Sequence, residues 1–501
     1  MAARAASTSS ARRARLCSAQ RRARPSTTVW AAARRAPSSG PAMSRKYQVL
    51  GVSTTTSIGY IGLVRSVSDS TGVSMTAIRR AAILGGNRTP FARANGAYAK
   101  ASNQDLLTAA LDGLVARHGL AGERLGEVAA GAVMKHSRDF NLTRESVLGT
   151  ALDPHTPAVD LQQACATGLQ ATNYIANKIK LGQIDVGIAG GSDTASDAPI
   201  AVSEGMRAIL LELNRAKTPA QRFKALTRFR PDFLAPAIPQ AAEARTGLSM
   251  GEHMATTTRE WDVSRTEQDE LAAASHQNLA QAWDSGFFDD LVTPYLGLNR
   301  DNNNRPDSTV EKLAKLKTVF GKDLGDEATM TAGNSTPLTD GASAVLLASE
   351  EWAEQHRLRP LAWFVDAETA AVDFVGGAEG LLMAPAYATA RLLERNGLSL
   401  QDFDFYEIHE AFAATPLATM KAWESAEFCR DRLGLDAPLG SIDRDRLNVH
   451  GSSVAAGHPF AATGGRIVAS LAKLLHQRGS GRGLVSVCAA GGQGVVAIIE
   501  A

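Results

Sequence analysis

From Ile78 to the C-terminus, short apolar runs alternate with longer amphipathic stretches, and after Ser349 the alternation begins again. No other feature constrains the fold as tightly. "SNQDLLTAALDGLVARHGL" has a Ser/Asn cap followed by Leu106, Leu107, Ala110, Leu111, Leu114 and Val115 at helical spacing. "GEVAAGAVM" and "IDVGIAGGSD" are near-continuous apolar runs, the pattern of strands buried on both faces. In the second pass "LAWFVDAETAAV" is strand-like, "MAPAYATARLLERNGL" is helical, and "DFDFYEIHEAF" is a strand running into a polar turn. Two long passes of strand and helix predict an α/β architecture built on a duplicated unit, divided near residues 350 to 358.

Composition narrows the classes. Hydrophobic residues make up 44% and charged ones 21%, ordinary for a globular chain, and the net charge of +2 offers no bulk attraction to nucleic acid or membrane. No run of 18 consecutive apolar residues occurs, so no transmembrane helix is expected. The four cysteines, Cys17, Cys165, Cys429 and Cys488, are too sparse for a disulfide framework or a zinc knuckle. A reducing compartment follows, with the cytoplasm expected first.

The N-terminal segment stands apart. Residues 1–74 are rich in Ala, Arg and Ser, and no Asp or Glu precedes Asp69. They resemble a transit peptide, which would place the chain in the mitochondrial matrix. An over-long start, with Met43 or Met75 as the true beginning, is the simpler alternative. The expected organisation is therefore an unstructured extension over 1–74, an N-terminal domain over 75–352 and a C-terminal domain over 353–501. An insertion at about 199–250 carries Arg207, Arg215, Lys217, Arg222, Lys224, Arg228, Arg230 and Arg245 against Glu204, Glu212, Asp232 and Glu243. It is either a solvated helical surface or a basic patch for a phosphorylated ligand or a partner.

Several segments could carry chemistry. In "DLQQACATGLQATNYIANKIKLG", Cys165 follows a short strand-like run, and Ala166, Thr167 and Gly168 open a helix. A thiol at a helix N-terminus feels unpaired N–H groups and the positive dipole end, both favouring thiolate. From this segment alone, a structural cysteine and a nucleophile remain equally open. In "LNVHGSSVAAGHPFAATGGR", rigid and small neighbours present His458, while His450 is expected to be structural. "YEIHEAFAATPLATM" puts His409 and Glu410 where a strand gives way to a helix, and "TMTAGNSTPLTDGASAVLLAS" has the small polar residues of a binding loop. The chain closes on "LVSVCAAGGQGVVAIIEA", in which Cys488 faces a loop with little side chain. A strand rather than a helix follows Gly491 to Gly494, which excludes a dinucleotide site there.

In order, "GNRTPF", "QQACATG", "GGSDTAS", "MTAGNSTPLTDGASA", "HEAF", "GHPFAATGGR" and "CAAGGQG" resemble the thiolase family of acyl-CoA C-acyltransferases from about Ile78 to the end. The His of "HEAF", the "CAAGG" ending and the basic insertion are most similar to the subgroup related to the trifunctional-enzyme β subunit and its bacterial counterparts. The resemblance implies a duplicated five-layer αβαβα fold with an inserted loop region. It also implies reversible, CoA-dependent cleavage of a 3-ketoacyl-CoA to acetyl-CoA and a shortened acyl-CoA, in fatty acid β-oxidation.

By the same resemblance, Cys165 takes the acyl group as a thioester, His458 activates that thiol, and Cys488 shuttles protons with a pKa shifted from about 8.5 towards neutrality. His458 and His409, the latter through water, would stabilise the enolate, and the N–H groups of Cys165 and Ala490 the tetrahedral oxyanion. Thr336 matches a pantetheine-contacting serine, Asn334 and Ser335 would shape its loop, and Met250 and Gly251 would border the CoA channel. The chain departs from the commoner pattern at His409, where many relatives carry Asn, at Thr167 for Ser, and at Ala490 for Gly. Coenzyme A is then a substrate, with no tightly bound cofactor and no metal expected. A homo-oligomer is expected, with a hydratase/dehydrogenase subunit as a possible partner and no nucleic acid.

Two other readings compete. A ketoacyl-synthase-like condensing enzyme would pair its cysteine with two histidines, or with His and Asn, and lack the second catalytic cysteine; Cys488 argues against it. A non-catalytic lipid carrier or complex subunit would have eroded catalytic positions, yet Cys165, His409, His458 and Cys488 are all present.

Overall fold

A computed structural model describes residues 78–377 and 379–501; the extension expected over 1–74 lies outside them. The first half supplies strands β1 (Ala81–Arg88), β2 (Ala92–Arg93), β3 (Glu127–Ala130), β4 (Ala158–Asp160), β5 (Val186–Thr194) and β6 (Thr339–Ser349). The second supplies β7 (Ala362–Ala371), β8 (Phe405–Ile408), β9 (Arg482–Ala489) and β10 (Gln493–Glu500). The helices that matter below are α1 (Asn103–His118), α2 (Thr167–Lys180), α3 (Glu204–Arg215), α4 (Pro219–Leu226), α5 (Met250–Glu260), α6 (Arg265–Asp284), α7 (Ala384–Asn396) and α8 (Thr463–Arg478).

The duplication is visible in the pairing. Outward from a β1–β7 seam, the first half runs β1, β6, β5, β3, β4 and the second runs β7, β10, β9, β8. In each half the first strand pairs antiparallel with the last, the last pairs antiparallel with its predecessor, and the next pairing is parallel. Side chains sort by the alternation that a pleated strand imposes. Val345 and Leu347 of β6, with Val495, Ala497 and Ile499 of β10, turn inward onto α2 and α8. Leu346 turns outward beneath Leu107, Leu111 and Leu114 of α1, and Val496 and Ile498 lie with Leu392 and Leu393 of α7. Five layers result: α1, half-sheet, α2 with α8, half-sheet, α7.

Helix α1 starts and stops where its sequence says it should. Ser102 Oγ accepts from Asp105 N (3.1 Å), Asp105 Oδ2 accepts from Ser102 N (2.9 Å), and Gly119 closes the helix at φ 64°. The central pair, α2 and α8, is buried along most of its length, and each fully buried Leu or Ile there contributes about 1.5–3 kcal/mol. Such full cover at the middle layer fixes where both helices begin. Among the described residues, no helix is long and apolar enough to cross a membrane.

The insertion forms α3 and α4. Three of its cations are spent internally: Arg207 on Glu204, Arg228 on Glu212 and Arg230 on Asp232. Phe223 is 70% exposed and Leu234 68%, so this surface carries apolar as well as basic side chains.

Candidate active site

Both central helices are preceded by tightly held turns. Before α2, Ala164 has φ 44°, a left-handed conformation that costs a residue with a Cβ and marks a constrained turn. Thr167 holds it: its Oγ1 accepts from Gln163 N (2.9 Å) and donates to Ala164 O (2.7 Å). The Thr found where Ser is commoner thus serves the turn that carries Cys165. Before α8, Gly457 has φ 99° and sits so close to Asn303 and Thr339 that a Cβ would lie 2.6 Å from each. His458 N donates to Thr339 Oγ1 (3.2 Å), and His458 Nδ1 lies 2.6 Å from Thr463 Oγ1.

His409 arrives from the end of β8, with its N–H on Ser486 O (2.8 Å) and its Nδ1 2.8 Å from Ser453 Oγ. The His409 and His458 rings lie 4.2 Å apart at their centroids, tilted by 47°. Cys165 Sγ and a ring nitrogen of each histidine fall within 4.8 Å of one another. Cys488 sits near the end of β9, opposite Gly494 of β10, and is buried. Three residues distant in sequence therefore converge, and Cys488 lies near enough to Cys165 for the two thiols to influence each other. Thiol and imidazoles are grouped closely enough to hold a metal ion, and the Ala490 backbone N–H beside Cys165 favours negative charge at the sulfur.

The loop after Cys488 keeps that donor available. The left-handed bends fall on Gly491 (φ 78°) and Gly492 (φ 68°), while Ala490 stays outside the left-handed region, so its Cβ is tolerated. Glu243, at the end of the insertion, accepts from Gly491 N (2.6 Å), and Gln163 Nε2 donates to Gln493 Oε1 (3.0 Å).

Electrostatics correct two expectations. Burial pushes the Cys165 thiol up to about 12, against the opposing Ala490 hydrogen bond. The helix-terminus effect that should favour thiolate is outweighed. Burial, with Cys165 nearby, also pushes the Cys488 thiol up, away from neutrality. His458 is held down to about 3 by burial and by the positive charge of Arg466. His409 lies well below its ordinary value through burial, His458 and Arg466. The resting site holds neutral thiols and neutral imidazoles.

Around it, the "AGNSTP" loop is tied to the "HEAF" turn. Thr336 N and Oγ1 both donate to Ala411 O (3.2 and 2.9 Å), and Ala413 N donates to Asn334 O (2.9 Å). Asn334 Oδ1 accepts from Thr331 N (2.7 Å) and Ser335 Oγ donates to Thr331 O (2.7 Å), so both shape the loop. Met250 opens α5, and Gly251 is buried where a Cβ would lie 2.3 Å from the Phe320 ring. His450 stacks on Phe287 at 3.8 Å.

Supporting groups hold both turns, and of these the sequence singled out Glu410 but not Asp193 or Arg466. Glu410 accepts from Asn448 Nδ2 (2.7 Å), Ser275 Oγ (2.7 Å) and Val454 N (3.2 Å), which fixes the turn behind His409. Asp193 accepts from Ala461 N (2.9 Å), and so anchors the His458 turn to β5. The "GGSD" and "GGR" motifs were the available signals for Asp193 and Arg466.

Residues 81–351 match the family model described as thiolase, N-terminal domain, and residues 358–501 match thiolase, C-terminal domain. The chain is 41% identical to a 3-ketoacyl-CoA thiolase of Yersinia enterocolitica over 427 residues, covering 84% of this chain and 97% of that one. It is 42% identical to one from Alteromonas mediterranea, with the same coverage. Its fold is similar to the crystal structure of Bacillus anthracis acetyl-CoA acetyltransferase (TM-score 0.70, 30% identity, 85% and 99% of the two chains). It is also similar to human mitochondrial 3-ketoacyl-CoA thiolase in complex with CoA (TM-score 0.68, 27% identity, 84% and 98%).

Proposed function

The chain belongs to the thiolase family and is an acyl-CoA C-acyltransferase, and we propose that Cys165, His458, His409 and Cys488 carry its reaction. The observation that supports this most is the grouping of Cys165 with both histidines within 4.8 Å.

In the degradative direction, His458 Nε2 takes the Cys165 proton as sulfur attacks C3 of a 3-ketoacyl-CoA. The N–H groups of Cys165 and Ala490 receive the tetrahedral oxyanion. The C2–C3 bond breaks, its electron pair passes to the acetyl-CoA enolate, and His458 with His409, the latter through water, stabilises the enolate oxygen. Cys488 then protonates C2. In the second half-reaction the Cys488 thiolate takes the proton of incoming CoA, whose sulfur attacks the thioester. Cys165 leaves as thiolate and recovers its proton from His458. A neutral thiol and a neutral imidazole suit this scheme, because proton transfer accompanies bond formation rather than preceding it.

Coenzyme A is a substrate here, bordered by Thr336, Met250 and Gly251, and the pathway is fatty acid β-oxidation. The similarity to a thiolase solved with CoA supports that assignment. Its bacterial relatives support a place in the cytoplasm, where the chain acts as a homo-oligomer and alongside a hydratase/dehydrogenase subunit. Its domains run over 75–352 and 353–501, and the cations of the insertion serve CoA phosphates or a partner. If the CoA Michaelis constant and assembly are unchanged after neutralising Arg222, Lys224 and Arg228, that last role is rejected.

The deciding experiment is thiolysis of 3-ketoacyl-CoAs of several chain lengths by wild type, Cys165→Ala and Cys488→Ala. Both variants should lose turnover; full activity in either overturns the assignment. A wild type that binds acyl chains but cleaves none would leave the carrier reading standing.

A further inference from the structure

Arg466 is a buried cation, 4% exposed, in the first turns of α8. Its Nη2 lies 3.2 Å from Ser452 Oγ and 3.1 Å from Ser453 Oγ. Ser453 Oγ is in turn the group 2.8 Å from His409 Nδ1, and both side chains are fully buried. On the far side of the ring, His409 Nε2 is buried and has no hydrogen-bond partner.

Counting hydrogens decides which nitrogen carries the proton. A guanidinium only donates, so Ser453 Oγ accepts from Arg466. Were His409 protonated on Nδ1, it would donate to the same oxygen. The Ser453 hydroxyl hydrogen would then have no acceptor among its partners, at a cost of about 1–3 kcal/mol for a buried donor. If Ser453 donates to Nδ1 instead, the serine hydroxyl and Nδ1 are both paired, and the ring hydrogen left over is Nε2–H, which stays free for a bound water or substrate. The imidazole proton then sits on Nε2.

We infer that Arg466, through the Ser453 hydroxyl, sets the His409 tautomer so that Nε2–H is presented to the water that bonds the enolate oxygen. Arg466 and Ser453 are positioning residues, and the inference rests on the oxyanion role assigned above to His409. It gives the His for Asn exchange a physical basis. A side-chain amide always has an N–H to offer, whereas an imidazole offers one at a given nitrogen only if its other nitrogen is told to accept.

The partner histidine supplies the contrast. His458 Nδ1 meets Thr463 Oγ1, on which no cation converges, so no charge biases that hydroxyl towards donating to the ring. Burial, helped by the charge of Arg466, holds both rings below their ordinary pKa.

The test is a double-mutant cycle of Ser453→Ala against His409→Asn, read as kcat and KM for a 3-ketoacyl-CoA. In the wild-type background Ser453→Ala should lower kcat about tenfold with KM little changed, less than the roughly 10²–10³ lost with a whole donor. In the His409→Asn background the same change should cost less than about twofold, because the amide needs no tautomer. Arg466→Met should repeat the pattern, and the smaller Ser453→Ala keeps the test valid should Arg466→Met not fold. Nitrogen-15 histidine spectra of the full chain should show His409 protonated at Nε2, shifting towards a mixture in Ser453→Ala. Equal losses in both backgrounds, or a wild-type Nδ1–H, overturn the relay while leaving His409 as a donor. Full kcat in His409→Ala overturns the donor role itself, and the relay with it.

Discussion

Gly168 and Gly464 meet backbone to backbone where the two central helices begin. A Cβ on Gly464 would lie 2.2 Å from Leu169 N, and one on Gly168 would lie 2.6 Å from Ala461 O. Neither neighbour can rotate away. The contact brings together the turns ahead of α2 and α8, and so Cys165 and His458. Gly→Ala inside a helix ordinarily stabilises by about 0.5–1 kcal/mol. Gly464→Ala should instead destabilise by about 1–3 kcal/mol and reduce kcat, because the helices must part. Gly465→Ala is the milder comparison: there a Cβ would meet the Ser343 hydroxyl, 2.4 Å away, which can turn only by giving up its bond to Ala462 O, so the loss should be smaller. Thermal unfolding of both variants checks the sign, and a Gly464→Ala variant as stable as wild type would refute the packing argument.

The thiol at rest should be a thiol. With Cys165 pushed up to about 12 and His458 held down to about 3, alkylation of Cys165 by iodoacetamide should climb steadily past pH 9. No step should appear near 6.5, where an ordinary histidine titrates. Mass spectrometry of the labelled peptide separates Cys165 from Cys488. A plateau of alkylation at neutral pH would mean a resting thiolate–imidazolium pair and overturn this account.

What the sequence disclosed, and what it hid, divides along physical lines. The α1 face, the strand runs and the restart after Ser349 were legible because burial repeats at 3.6 or 2 residues. Cys165, His458 and Cys488 stood out because small residues and Gly-Pro turns strip away packing around them. The pKa directions were not legible: a helix N-terminus favours thiolate, and only the depth of burial shows that desolvation wins. The Arg466–Ser453–His409 chain was invisible for another reason. Its members belong to two segments, and Ser453 and Arg466 lie 13 residues apart within one of them, so they meet His409 only once β8 and α8 are packed.

Stability should fall on both sides of neutrality, with different residues responsible. His409 and His458 stay neutral when folded but bind protons near 6.5 when unfolded. Below that pH the unfolded chain holds more protons, so their contribution, complete above 6.5, is lost as pH falls. Glu407 has the opposite sign. Burial raises it to about 8, so its contribution is complete below the unfolded value of about 4.3 and is lost as pH rises towards 8. Melting temperatures across pH should show Glu407→Gln flattening the alkaline limb and His409→Asn the acid limb. Parallel curves for either variant and wild type would remove that residue from the explanation.

Asp193 offers the most selective lever on His458 without touching it. Its Oδ1 accepts from Met134 N (2.8 Å) and Val133 N (2.9 Å), while Oδ2 accepts from Ala461 N (2.9 Å) in the turn that carries the base. Burial raises its pKa to about 6 against these three donors, so the group is ionised at neutral pH. Asp193→Ala strands buried N–H groups at about 1–3 kcal/mol each and should destabilise the whole chain. Asp193→Asn is gentler. With its oxygen kept on Val133 and Met134, the amide nitrogen faces the Ala461 N–H, donor against donor, and pushes on the His458 turn alone. Single-turnover acylation of Cys165 should therefore slow markedly in Asp193→Asn while the melting temperature falls far less than in Asp193→Ala. Acylation at the wild-type rate would show that the His458 turn holds its position without Asp193.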